Sequence, residues 1–306
     1  MRRSLAMLAA IVSLSLATAR SQDQQELFDF GPPVNLGSVV NSPGFDGGPS
    51  ISADGLSLYL TSDRPGGSGG ADLWVARRAK PTDPFGAPQN LGPAVNSPAN
   101  EYAPSISAEG LTLYFDSDRQ GGLGQSDIWV ATRATSAAQF GVARNLGAPV
   151  NSMASDGLPN ISADGLSLYF ASRRADSAGQ MDLWVARRDT KSGPFSRAEN
   201  LGPGANSPHY DGEASISGDG LYLFFSSDRP GGQGRRDLWV ATRPDRAAPF
   251  GRARNLGSVV NSPAHDVRPS MSTDGSTLFF MSDRPGGSGQ IDLWQTSNRA
   301  RSRRPR

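Results

Sequence analysis

An acidic residue recurs every 55 residues along this 306-residue chain, and a carboxylate in that setting could bind a cation, a sugar or a basic peptide. The five acids are Asp46, Glu101, Asp156, Asp211 and Asp266. Carboxylates gathered on one face of a protein repel one another unless cations pair with them. Every copy of the pattern also carries an arginine in a glycine-rich loop: Arg64, Arg119, Arg174, Arg229 and Arg284. Two interpretations stay open, namely five ion pairs that tie loops together, or an acidic rim that binds a ligand.

The positions that break the repeat indicate where a single ligand could bind, because identical positions would offer the same contacts in all five copies. In the third copy Arg173 stands where the other four copies carry an aspartate: Asp63, Asp118, Asp228 and Asp283. Tyr102 and Tyr210 lie next to recurring acids, and aromatic rings beside carboxylates suit contacts with carbohydrate or peptide. We therefore predict a ligand-binding face made of the five recurring acids together with Tyr102, Tyr210, Arg173 and Arg174.

Hydrolysis of a glycoside would need two carboxyl groups in different environments across a gap the size of a sugar. Glu213 is the only acid inside the segments that we predict as inner strands, and it has no partner acid there. The chain has two histidines and no cysteine, which argues against a zinc site. We expect a binding protein without catalytic residues, cofactor or metal. A glycoside hydrolase is the alternative, and an envelope protein that holds partner proteins together is a third hypothesis.

A tryptophan also recurs every 55 residues, and a fixed period of this length is typical of a repeat architecture. The tryptophans are Trp74, Trp129, Trp184, Trp239 and Trp294. The second copy contains four strand-like segments: Ala103–Ser107, Leu111–Ser117, Asp127–Arg133 and Phe140–Gly147. Four antiparallel strands per repeat predict one propeller blade. The second segment is apolar on both faces, so we expect each blade to lie between two others, with the tryptophans filling the space between blades.

The two ends of the repeat region predict that the blades close into a ring. The N-terminal segment Phe28–Gly37 has the pattern of a fourth strand, whereas the last repeat stops after its third segment, Asp292–Asn298. The N-terminal strand can therefore complete the last blade and leave no exposed sheet edge at the junction. The predicted fold is all-β, a closed five-bladed propeller of four-stranded antiparallel blades over residues 22–298.

The phrase "PSISADGLSLYLTSDRPGGSGGADLWVARR" resembles the WD40-like PD40 repeat of TolB-type β-propellers. The shared elements are the Pro-Ser-x-Ser-x-Asp-Gly turn, the Ser-Asp-Arg-x-Gly-Gly loop and the Asp-Leu-Trp strand. The resemblance implies a periplasmic or secreted binding or scaffold protein.

Both ends of the chain differ in composition from the repeats. Residues 1–21 combine a basic start, an apolar run from Leu5 to Ala19 and small residues at a cleavage position, which indicates a secretory signal peptide. Residues 299–306 form an arginine-rich tail that we predict to be disordered. The net charge of +1 becomes −7 without the eight arginines of these two ends, which argues against nucleic acid as a partner. We expect an exported monomer, periplasmic or extracellular, without membrane insertion, whose partner is an envelope protein or a carbohydrate.

Overall fold

The computed structural model describes residues 28–302, so the predicted signal peptide lies outside the described residues. The described part is built from twenty β-strands and one helical turn. The innermost strands are β2 (Asp46–Ile51), β6 (Glu101–Ile106), β10 (Asp156–Ile161), β14 (Asp211–Ile216) and β18 (Asp266–Met271). The second strands are β3 (Ser57–Ser62), β7 (Thr112–Ser117), β11 (Ser167–Ser172), β15 (Tyr222–Ser227) and β19 (Thr277–Ser282). The third strands are β4 (Asp72–Arg77), β8 (Asp127–Thr132), β12 (Asp182–Arg187), β16 (Asp237–Thr242) and β20 (Asp292–Ser297). The outermost strands are β5 (Gln89–Asn90), β9 (Arg144–Asn145), β13 (Glu199–Asn200), β17 (Arg254–Asn255) and β1 (Val34–Asn35).

The strands form five antiparallel sheets of four strands, which we number as blades 1 to 5 in the order of their innermost strands. In blades 1 to 4 the strands pair in chain order. In blade 5 the order is β18, β19, β20 and then β1, so the N-terminal strand completes the last blade. The prediction of a closed five-bladed propeller is confirmed.

Ring closure uses the same contacts that join the other blades. The backbone N–H of Asp46 donates to Ile291 O at 2.9 Å, just as the N–H of Glu101 donates to Ala71 O between blades 1 and 2. Asn41 exchanges two hydrogen bonds with the backbone of Leu293 in β20. Blade 5 is therefore joined to blade 1 in the same way as blades that are consecutive in the chain.

The apolar residues of the second and third strands pack between neighbouring blades, as their pattern predicts. Between blades 1 and 2, Tyr59 and Leu73 pack against Phe115 and Trp129. Equivalent clusters lie at the other four junctions. The five tryptophans are 5–7% exposed, which confirms that they belong to the core.

The outermost strands are shorter than predicted. In blade 2 the predicted segment Phe140–Gly147 pairs as a strand only at Arg144–Asn145. The residues just before Arg144 do not pair with β8. The N–H of Ala143 donates instead to Ala94 O, in the linker between blades 1 and 2, at 2.8 Å. The backbone hydrogen bonds of this segment are thus divided between its own blade and a neighbouring one.

The predicted disordered tail is ordered at its start. Arg299–Ser302 form a single helical turn, α1, and the N–H of Arg299 donates to Asp29 O at 2.8 Å. Among the described residues, no helix is long and apolar enough to cross a membrane.

Candidate functional site

The five recurring acids do not form an open rim. Each is completely buried, because it begins an innermost strand and its side chain faces the arginine of the same blade. Arg64, Arg119 and Arg174 reach the carboxylates of blades 1 to 3 at 2.5–2.8 Å. Arg229 and Arg284 form the same ion pairs with Asp211 and Asp266. The expectation of an acidic, ligand-binding rim is wrong, and the interpretation as ion pairs that tie loops together is the one that the structure shows.

The arginines of these pairs also pack against the core. The guanidinium carbon of Arg174 lies 4.9 Å from the ring centroid of Trp184 and 5.2 Å from that of Phe170. Its Nη2 additionally donates to Val150 O at 2.7 Å. Arg174 is therefore held by its own blade and is not free to contact a ligand.

Arg173 is exposed on the face that carries the loops between the second and third strands. Because an arginine stands here in place of the recurring aspartate, blade 3 lacks a hydrogen bond that the other blades have. In the other four blades the aspartate at this position accepts the backbone N–H of the residue before the innermost strand, at 2.7–2.9 Å. An arginine has no acceptor to offer that N–H. The third blade thus lacks one loop contact that its neighbours have, and whether this sector contacts a ligand stays a prediction.

Five residues at equivalent positions of the innermost strands surround the mouth of the central channel, and we call them the mouth ring. They are Gly48, Ala103, Leu158, Glu213 and Arg268. Each has a positive φ, between 48° and 62°, where the register of the innermost strand shifts against the second strand. Such a backbone conformation costs roughly 1 kcal/mol or more for a residue other than glycine, and it clusters at functional sites. The scaffold of the ring is fivefold repeated, while its side chains are all different.

Glu213 is the acidic member of the mouth ring and lies among three possible partners. Its side chain is 5% exposed, and its Oε1 lies 3.5 Å from Arg268 Nε and 3.9 Å from Arg236 Nη1. Tyr210 donates its hydroxyl proton to the same Oε1 at 3.4 Å. Burial and the neighbouring carboxylate both raise the pKa of Tyr210, so this hydroxyl stays protonated as a donor. The groups that contact Glu213 are thus two arginines and a tyrosine, and none of them is the partner acid that hydrolysis would need.

A second carboxyl group, that of Asp116, lies one strand outside the mouth ring in blade 2. It is 7% exposed and accepts the backbone N–H of Leu158, a ring residue of blade 3, at 2.9 Å. Burial raises the pKa of Asp116 to about 6, against the opposing influence of the Arg268 charge. Two carboxyl groups in contrasting environments thus lie in or next to the mouth ring. Glu213 is paired with guanidinium groups, and Asp116, behind the ring residue Leu158, keeps its proton to a higher pH than an ordinary aspartate.

The predicted ligand residues are thus divided by the structure. Tyr210 lies at the mouth in contact with Glu213, and Tyr102 lies near it, with its ring centroid 5.9 Å from the guanidinium carbon of Arg268. Arg173 lies on the loop rim, and the five acids and Arg174 are part of the scaffold.

Asp116 was not among the predicted site residues, although comparison of the copies could have found it. The equivalent positions of the second strands carry no other charge: Thr61, Ala171, Ser226 and Met281. Thr61 and Ser226 also accept an N–H from the next blade, so Asp116 performs the same structural role with an ionisable group.

No family model and no curated protein matches the chain, so the assignment to the PD40 repeat family stays a prediction. Solved structures do match in fold. One is TolB from Acinetobacter baumannii, with a TM-score of 0.53 and 15% identity over 85% of this chain; the match spans 56% of that protein's length. The catalytic domain of the Coprinopsis cinerea GH62 α-L-arabinofuranosidase matches with a TM-score of 0.54 and 13% identity, covering 89% of this chain and 97% of that one. The α-L-arabinofuranosidase of Podospora anserina in complex with cellotriose matches with a TM-score of 0.53 and 14% identity, covering 89% and 97%.

These likenesses show the fold, which is shared by TolB proteins and by glycoside hydrolases. They contradict our expectation that the protein is not an enzyme, because glycoside hydrolases at 12–15% identity recur among the matching structures. That expectation also rested on acids in the innermost strands alone, whereas Asp116 lies on a second strand and contacts the backbone of the ring residue Leu158.

Proposed function

We propose that the protein is a glycoside hydrolase-like enzyme that acts on a carbohydrate at the channel mouth. The observation that carries the proposal is the presence of two buried carboxyl groups, Glu213 and Asp116, in contrasting environments beside the one asymmetric ring of a repeated scaffold. Glycoside hydrolysis uses such a pair, one group as proton donor and the other as base or nucleophile. The likeness of the fold to glycoside hydrolases supports the same proposal.

The two carboxyl groups suit different steps. Glu213 lies on the wall of the mouth and is surrounded by Arg268, Arg236 and Tyr210. We therefore assign to Glu213 the role of the base that activates water or of the nucleophile that attacks the sugar. Burial raises the pKa of Asp116 to about 6, so we assign to Asp116 the role of proton donor. Tyr102, half-buried beside Arg268, offers an aromatic face on which a sugar ring can pack.

The test is the release of reducing ends from a broad panel of oligosaccharides by the full protein. Glu213→Gln should lower turnover about a hundredfold or more, since the substitution keeps the shape of the side chain and removes the carboxylate. Asp116→Asn should also lower turnover, because an amide cannot donate the proton, and the remaining activity should lose the decline above about pH 6 that deprotonation of the donor causes. Glu199→Gln is the matched control, because Glu199 is exposed on an outermost strand and pairs with Arg187.

The absence of turnover on every glycan of the panel would contradict the hydrolase. Saturable glycan binding without turnover would instead identify a carbohydrate-binding propeller that uses the same mouth. Normal activity of Asp116→Asn across the pH range would restrict Asp116 to its structural role.

The proposal includes export from the cytoplasm. It is supported by the signal-like segment at residues 1–21. N-terminal sequencing of the protein recovered from the periplasm or the medium should show that this segment has been removed.

A further inference from the structure

Arg268 lies across the channel mouth rather than along its own blade. Its Nε faces Glu213 of blade 4, and its guanidinium carbon lies 5.9 Å from the ring of Tyr102 in blade 2. A Cβ placed on Gly48 of blade 1 would lie 3.1 Å from its Nη1. One side chain thus approaches three other blades, which no other member of the mouth ring does among the contacts of the described residues.

Two buried donors of Arg268 have no acceptor among the described residues. Neither Nε nor Nη1 makes a hydrogen bond, although Nε lies at ion-pair distance from Glu213 Oε1. The indole N–H groups of the five tryptophans also lack an acceptor, but they repeat in every blade and belong to the scaffold. A guanidinium group can only donate, and leaving its donors unpaired in a buried setting costs free energy. The side chain of Arg268 is 16% exposed and lines the hollow at the mouth, so an acceptor from outside the chain that reached its unpaired donors would be stabilised there.

The charges around Arg268 favour an anion as that acceptor. Two guanidinium groups, Arg268 and Arg236, share the one carboxylate of Glu213, which Tyr210 also engages. The carboxyl of Asp116 is used by the Leu158 N–H and forms no ion pair with Arg268 among the described residues. The ring residues that face Arg268 across the mouth, Gly48 and Ala103, are small and line a hollow of about 30 Å³.

We propose that Arg268 binds the carboxylate of an acidic sugar, so that the substrate class is a glycan containing uronic acid. This inference rests on the proposed function and names the substrate of the same site. A carboxylate matches the planar fork of an arginine and can accept from two of its N–H groups at once. A neutral sugar hydroxyl can accept only single, weaker hydrogen bonds there.

The test compares a trigalacturonate with its methyl ester, which lacks the negative charges and carries a methyl group on each carboxyl, by calorimetric titration of the full protein. We expect the free acid to bind at least about tenfold more tightly than the ester, and the difference to shrink as salt is added. Equal affinity for acid and ester in the wild-type protein would overturn the inference, and this comparison needs no variant that might fold poorly.

Two substitutions place the effect on Arg268. Arg268→Gln should abolish the preference for the acid, while Arg268→Lys should retain part of it because the charge remains without the fork. Arg144→Gln, at an exposed arginine on the outermost strand β9, is the matched control and should leave the preference unchanged. A preference that survives Arg268→Gln in a folded protein would contradict the inference.

The outcome is separable from that of the proposed function. If the acid is preferred in binding but no glycan is cleaved, the hydrolase is wrong and the acidic ligand stands. If neutral glycans are cleaved and the acid is not preferred, the hydrolase stands and the acidic ligand is wrong.

Discussion

At the scale of single residues, the same side-chain types serve two purposes in this protein. The recurring acids and arginines are buried in pairs that tie each blade together, whereas Glu213, Arg268 and Asp116 occur once each. Burial in a pair supports structure when both members are present, and it penalises the loss of one member. Burial without a pair changes the acidity of a group, as at Asp116.

Asp116 should make the stability of the protein depend on pH. Its pKa is raised from 3.8 to about 6 in the folded protein, so between these values the folded state holds a proton that the unfolded chain has released. The free energy of unfolding should therefore fall as the pH rises through this window, by about 3 kcal/mol from this group alone. Asp116→Asn should remove that dependence, and chemical denaturation at about pH 4 and pH 7 measures it. An unchanged pH dependence in the variant would show that another group is responsible.

A buried ion pair and an exposed one should respond very differently to loss of the arginine. Arg229→Met leaves Asp211 buried without its cation and should cost about 3–5 kcal/mol. Arg187→Met is the matched control, because the side chains of Arg187 and Glu199 are 46% and 68% exposed, and it should cost no more than about 1 kcal/mol. Urea denaturation of both variants makes the comparison, and equal costs would contradict the structural role of the buried pairs.

At the scale of elements, the asparagine of each Asn-Ser segment joins one blade to the next. The five residues are Asn41, Asn96, Asn151, Asn206 and Asn261. Each exchanges two hydrogen bonds with the backbone of the third strand in the preceding blade. Their spacing of 55 residues was visible in the sequence, but the backbone atoms that they satisfy were not.

Asn41 and Asn96 provide a matched test of ring closure. Asn96 joins blade 2 to blade 1, which precedes it in the chain, whereas Asn41 joins blade 1 to blade 5 at the other end of the chain. In a closed ring, Asn41→Ala leaves the buried N–H of Leu293 unpaired and Asn96→Ala leaves that of Leu73 unpaired, so both should destabilise by similar amounts, about 1–3 kcal/mol. Thermal melting of both variants measures this, and a neutral Asn41→Ala beside a costly Asn96→Ala would mean that the ring is open in solution.

At the scale of the whole molecule, stability depends on a ring with no free sheet edge at the junction. β1 covers β20, and Phe30 forms a further bridge with Asn298. Phe28 and Phe30 also pack against Phe224 between blades 4 and 5. The N-terminal segment thus contributes both backbone pairing and core.

Deletion of residues 28–37 should therefore expose the edge of β20 and open the ring. We expect a loss of several kcal/mol, or self-association through the exposed edge, since an unpaired strand edge is a template for another chain. Melting temperature and size-exclusion chromatography give the result. A monodisperse deletion variant with an unchanged melting temperature would contradict closure by the N-terminal strand.

The blades, their number and the closure of the ring could all be predicted from the sequence, because each of these depends on a pattern repeated at a fixed interval. The contacts between adjacent blades are the same at every junction. They are made by strands such as Ser57–Ser62 and by the recurring tryptophans, which the sequence pattern reveals. The composition of the site, in contrast, followed from the three-dimensional arrangement of the blades. Glu213 and Arg268 share one repeat position 55 residues apart, but Asp116 lies at a different position, and only the ring of blades brings the three together. The positive φ of the mouth ring is likewise imposed by packing around it, since Glu213 and Arg268 would not adopt that conformation on local preference alone. The structure also showed that the recurring acids are buried and paired with arginines within their blades. They therefore stabilise the blades and do not form the predicted ligand-binding rim.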